Sequence, residues 1–237
     1  MFLLAGQNNP ANTLAFGLIE LARQPQFQEQ LHTEIQSHSM LAAGSQTPYD
    51  EMPLLNAFIK ELLRFYPAKP LTDRMAVQDT AIPLSQSIVT SKGERLTSTP
   101  VRKGQIMTVA IASYQRFIRT AWGSDVHEFR PSRWMKRTPQ QKEVLGPYVG
   151  LLAFLGSTHT RLGWGLAILE MQAILYKLVG KFSFALPEDD VIRTRLANTL
   201  LPAGRSGEEA APLRVTRIAE SSKAHGSVVA HTELEST

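Results

Sequence analysis

The chain of 237 residues contains no cysteine. That absence removes disulfides, thiolate metal ligands and cysteine nucleophiles together, and it leaves the redox compartment open. There is also no apolar run of about eighteen residues, the length a spanning helix needs. The apolar opening from Met1 to Gly6 is too short for the core of a secretory signal. Charge of one sign is never gathered: Lys and Arg number 25 against 21 Asp and Glu, a net +4, and the scatter argues against nucleic acid as a partner. A basic face for an acidic partner stays open. No internal repeat is visible.

What is present suits one compact body. The hydrophobic content of 43% is that of an ordinary globular core. Apolar residues recur at helical spacing from Phe2 to Leu21, with Pro10 expected to kink the helix or delay its start. A chain that opens inside an apolar helix, without a cap, reads as a truncated start. A second, surface helix is predicted from Gln26 to about Ser37, its stripe formed by Phe27, Leu31 and Ile35. A third follows from Leu54 to Phe65 and is stopped by Pro67.

Glu61 and Arg64 stand three apart in that third helix and share a face. Two readings are open. An exposed pair adds a few tenths of a kcal/mol, whereas a buried one needs a further partner, and the apolar residues around it leave little of the helix for solvent. From Pro67 to Ile111 proline and glycine punctuate short β-branched segments, so a small sheet of hairpins is predicted. An irregular stretch rich in arginine and aromatics runs from there to Met135; irregular chain of that length is usually functional or tightly pinned.

Residues Pro147 to Val179 form the most organised stretch. An apolar approach ends at Phe154, a small and polar loop spans Gly156 to Gly163, and a fourth helix runs on to about Lys181. Such a loop is either a structural turn or a place where backbone N–H groups cradle a ligand. Phe182 to Leu186 reads as a strand, Leu200 to Gly204 as a turn, and Ala211 to Arg217 as the last strand of its hairpin. Residues 219–237 are polar and patternless, and a disordered tail is expected there.

The order of these pieces resembles the C-terminal half of a cytochrome P450, the haem-thiolate monooxygenase family, in its fungal form. Lys60 to Pro67 (KELLRFYP) is similar to the family's Glu-x-x-Arg helix, with Glu61 and Arg64 in the matching places. Phe129 to Trp134 (FRPSRW) is similar to the downstream segment whose arginine, Arg133, completes a Glu-Arg-Arg structural cluster. Trp122 to Asp125 lies between them, as in relatives. The resemblance implies a fold that is mainly α with small β-sheets, multihelical with a hairpin sheet, over residues 1–218. It also implies a haem cofactor, oxidation of a small organic substrate with O2, and an NADPH-dependent reductase as electron donor. The family resides on the endoplasmic-reticulum membrane, but no anchor is visible in this sequence. Arg74 matches a position that reaches a haem propionate, and Ala68 to Thr72 and Leu200 to Ala203 match segments that line the substrate pocket.

The haem loop departs from the family pattern. Phe154 and Gly163 are in place, but Ser157 replaces a glycine, His159 an arginine and Arg161 the ligand cysteine. A guanidinium stays protonated and has no lone pair for a metal, so no metal ligand is expected at Arg161. His159 is the remaining imidazole of the loop, and it either ligates iron or faces solvent or a propionate. In the first helix, Asn8 and Asn9 stand where relatives carry an acid and a threonine that relay protons, and Asn is neither acid nor base near neutrality. The expectation is a catalytically impaired homologue, a pseudoenzyme. The alternatives are a gene-model fragment or a non-catalytic interaction protein docking through Arg116, Arg119, Arg130, Lys136 and Arg137.

Overall fold

The structure is a computed structural model and describes residues 2–41, 49–117, 122–135, 145–188 and 191–218. The expected tail at 219–237 lies outside the described residues. Helix α1 spans Phe2–Arg23, α2 Pro25–Leu41, α3 Pro53–Phe65, α4 Ile111–Phe117 and α5 Trp164–Val179. Among the described residues four antiparallel strand pairs accompany them: β1 (Thr72–Met75) with β4 (Ile106–Val109), β2 (Thr80–Val89) with β3 (Arg95–Val101), β5 (Phe182–Ala185) with β8 (Arg214–Arg217), and β6 (Arg193–Leu196) with β7 (Leu200–Ala203).

α3 is the hub. Leu55, Phe58, Ile59, Leu62 and Leu63 are buried along it, and it touches α1, α2, α4, α5 and the short 3-10 turn Pro131–Trp134. Its N-terminus has no side-chain cap of its own. The carboxylate of Glu34 on α2 serves instead, accepting from the amides of Leu54 at 2.8 Å and Leu55 at 2.9 Å. An anion there satisfies orphan donors and opposes the positive end of the helix dipole. Pro67 then ends the helix because the residue before a proline avoids the helical region.

Several sequence expectations change. α1 does not start late: it is continuous from Phe2, with Pro10 inside it and buried. One proline removes a single ladder bond, and beyond it Leu14, Phe16, Ile19 and Leu21 anchor the helix in the core. The segment Leu200 to Gly204, read as a turn, begins with the buried strand β7. The strand expected within Ala211 to Arg217 is β8, and it pairs with β5, Phe182 facing Arg217. The irregular stretch starts with α4, whose short length hid it from periodicity.

Candidate functional site

Glu61 and Arg64 are both 0% exposed and Arg133 is 6% exposed, so the exposed-pair reading gives way. Arg64 grips Glu61 with a fork, Nε to Oε2 and Nη2 to Oε1, each at 2.8 Å. Arg133 donates from Nε to Oε1 at 2.9 Å, the Arg130 amide to Oε1 at 2.8 Å, and the Trp134 indole to Oε2 at 2.9 Å. The remaining guanidinium donors are equally occupied. Arg64 reaches the carbonyls of Gln115, Val126 and Glu128; Arg133 reaches those of Trp122, Asp125 and Glu128 and the Asp125 carboxylate. A buried ion cluster is tolerable only when satisfied in this way. Its effect is to pin the irregular 122–135 segment onto α3. Burial opposes ionisation of Asp125, but the hydrogen bond and charge of Arg133, with Arg130 beyond, outweigh it and hold the carboxyl below the usual carboxylate range.

The loop is held from the same helix. Gln115 of α4, fully buried, donates to the carbonyls of Leu63 at 3.1 Å and Arg64 at 3.0 Å and accepts the Leu152 amide at 2.8 Å. A short 3-10 turn, Leu152–Phe154, follows. Leu155 takes a positive φ of 60°, and Gly156 lies against the chain at Leu145, whose carbonyl oxygen would be 1.9 Å from an added Cβ. The Arg161 amide then returns to the Phe154 carbonyl at 3.1 Å. Gly156 marks the start of the loop in the sequence, but its close packing is not legible there, and Gln115 carries no signal because an isolated glutamine has no pattern.

Beside this loop is a cavity of about 340 Å³ between α1, the exit of α3 and the start of α5. Phe154, Arg161 and Gly163 line it, with Asn9, Pro10 and Thr13 from α1, Leu63, Ala68 and Lys69 from the α3 exit, and Glu170 and Met171 from α5. Asn8 is exposed and outside the lining. His159, exposed in the 3-10 turn Ser157–His159, also lies outside it, as does the half-buried Arg74, whose Nη1 turns back onto Thr72 Oγ1 at 2.9 Å and the Asp73 carbonyl at 2.8 Å. Leu200 to Ala203 stay out of the lining as well; the Leu200 amide donates to the Ala68 carbonyl at 2.9 Å. A group whose iron needs an anionic sulfur does not fit this donor set: the sequence has no cysteine, the lining among the described residues has no imidazole, and Arg161 adds a cation to it.

A larger groove, about 780 Å³, lies on the other side of Trp164 between α3 and α5. Burial lowers the Lys60 ammonium there and, with the charge of Asp50, raises the Tyr148 phenol. Two residues of the expected basic face fall among the described ones. Arg116 lies over the rings of Phe65 and Tyr66, and Arg130 is ion-paired to Asp125; Arg119, Lys136 and Arg137 lie outside the described residues. No helix among the described residues is long and apolar enough to cross a membrane.

Residues 1–205 match the family model "Cytochrome P450". The chain is 30% identical over 223 residues to cytochrome P450 monooxygenase 91 of Postia placenta, covering 92% of this chain and 41% of that protein. It is 32% identical to cytochrome P450 monooxygenase claO of Ampulloclitocybe clavipes, covering 92% and 42%. Ganoderic acid synthetase CYP5150L8 of Ganoderma lucidum is 30% identical over 80% of this chain and 36% of its own length. The chain thus spans about two fifths of the length of the curated relatives it matches.

Proposed function

The chain belongs to the cytochrome P450 family, and on that premise we propose that it is a monooxygenase-type polypeptide whose oxygen chemistry is silent because Arg161 stands where the iron requires a thiolate. The single observation that carries this reading is Arg161 itself. The loop geometry around it is closed by its own amide onto Phe154, so a loop competent to present a ligand presents a guanidinium. A thiolate both holds the iron and supplies the electron density for O–O cleavage; a protonated guanidinium does neither. The amide side chain of Asn9 in the cavity supports the same reading, since it cannot relay a proton by general acid chemistry near neutrality. Nor is His159 a substitute ligand on this reading, as it lies outside the cavity lining.

The family's substrate, reductase and haem are inherited expectations for the whole-length relatives. For this chain the test is addition of hemin to the purified full polypeptide, followed by gel filtration and a reduced, carbon monoxide-bound spectrum. No thiolate-type Soret band is expected, and its presence would overturn the reading. A non-catalytic interaction role is the second reading. It is favoured by the apolar side chains around the loop, Leu162 at 93% and Leu166 at 71% exposed.

A further inference from the structure

The cavity beside the loop has a chemistry of its own. Its walls are apolar: Pro10, Leu63, Phe154, Leu166, Ala167 and Met171. At one end stands Arg161, exposed at the rim, and no hydrogen bond or ion pair engages its guanidinium among the described residues. Lys69 adds a second positive charge, held by the carbonyl and side-chain oxygens of Asn198 and, among the described residues, by no carboxylate. Glu170 is the one acid in the lining among the described residues, which leaves those residues with a positive excess.

A greasy pocket of about 340 Å³ falls within the range of small-molecule sites, where a few polar groups fix orientation. A planar guanidinium presents parallel donors that match a carboxylate two-for-two. We infer that this cavity binds an apolar monocarboxylate, its chain against Leu63, Phe154 and Met171 and its carboxylate on the Arg161 fork. The inference rests on the reading that Arg161 has displaced thiolate-bound haem from this place, and it names what the altered site takes instead. A simple alcohol of the same chain length would keep the wall contacts and lose the charged ones. Charge-assisted hydrogen bonds separate the two by about tenfold or more in affinity.

The experiment is isothermal titration of the full chain with dodecanoate, dodecanol and dodecylamine, each kept below its aggregation concentration. Dodecanoate is expected to bind, with the other two at least about tenfold weaker. Arg161→Gln should reduce dodecanoate affinity by a similar factor while leaving dodecanol unchanged. Ala167→Trp, which fills the cavity from α5, should abolish binding of both, with circular dichroism confirming that each variant is folded. Absence of dodecanoate binding, equal affinity for the alcohol, or an unchanged Arg161→Gln variant each overturns the inference. A thiolate-type spectrum with hemin would instead overturn the underlying reading, so the two failures are told apart.

Discussion

The amide of Arg161 donates to the carbonyl oxygen of Phe154 at 3.1 Å, so the backbone of position 161 is held while its side chain is exposed. Loop shape and loop chemistry are therefore separable. Arg161→Cys should change stability by no more than about 0.5 kcal/mol, as for other surface changes without a special feature. The variant should also show one titratable thiol per chain where the parent shows none. Urea unfolding and a thiol reagent measure the two effects; a large loss of stability would mean that the guanidinium holds the loop.

Glu61 accepts from Arg64, Arg133, Trp134 and the Arg130 amide. Removing it leaves two buried guanidiniums facing one another without their shared anion. Glu61→Ala is expected to cost about 3–5 kcal/mol, the range for breaking a buried pair from one side. The half-exposed Arg23, paired to Glu20 at 2.7 Å, provides the contrast: Arg23→Ala should cost about 1 kcal/mol or less. Urea midpoints followed by circular dichroism compare the two.

Two glycines of the loop should behave oppositely. A Cβ at Gly156 would lie 1.9 Å from the Leu145 carbonyl oxygen, whereas one at Gly163 meets nothing within 4 Å. Backbone cannot step aside as a flexible side chain can, so Gly156→Ala should cost about 3 kcal/mol or more. Gly163 has an ordinary φ of −85°, and Gly163→Ala should be neutral or mildly stabilising through the unfolded chain. Thermal unfolding of both variants checks this.

Tyr66 stacks on Phe16 with centroids 4.2 Å apart and donates its hydroxyl to Glu20 Oε1 at 2.7 Å. Burial, reinforced by the charge and hydrogen bond of Glu20, raises its phenol above the ordinary range. Because the folded value is raised, the associated stability is present below the unfolded phenol value of about 10 and is lost as pH rises through the folded one. Tyr66→Phe should cost about 1.5–3 kcal/mol at neutral pH, the range for hydrogen bonds to charged groups. It should also flatten the loss of stability above pH about 10. Denaturant unfolding at several alkaline pH values, with phenolate absorbance on the parent, tests both.

These relationships were unequally legible in the sequence. α3 was readable because its stripe and its Glu61–Arg64 pair are local, repeating at helical spacing. That Arg133 completes the cluster came from resemblance, since nothing local joins positions 72 residues apart. The carbonyls of Gln115, Val126 and Glu128 that finish Arg64 were invisible, because a backbone acceptor has no residue-type signature. α4 hid for a similar reason: it has seven residues and turns a polar side chain, Gln115, into the core. Strand β6 has every residue exposed and so no alternation to read. The β5–β8 pairing is set by packing across the chain and not by a turn.

The 154–163 loop was legible in the sequence, whereas the place of Arg161 in the lining of an apolar cavity needed the fold. The account stands most directly on the reduced, carbon monoxide-bound spectrum of the hemin-treated full chain, recorded beside the Arg161→Cys variant. The account predicts no thiolate-type Soret band from the parent, and such a band from the variant if haem is retained. A thiolate-type band from the parent chain, which has no cysteine to supply it, would contradict the account at its centre.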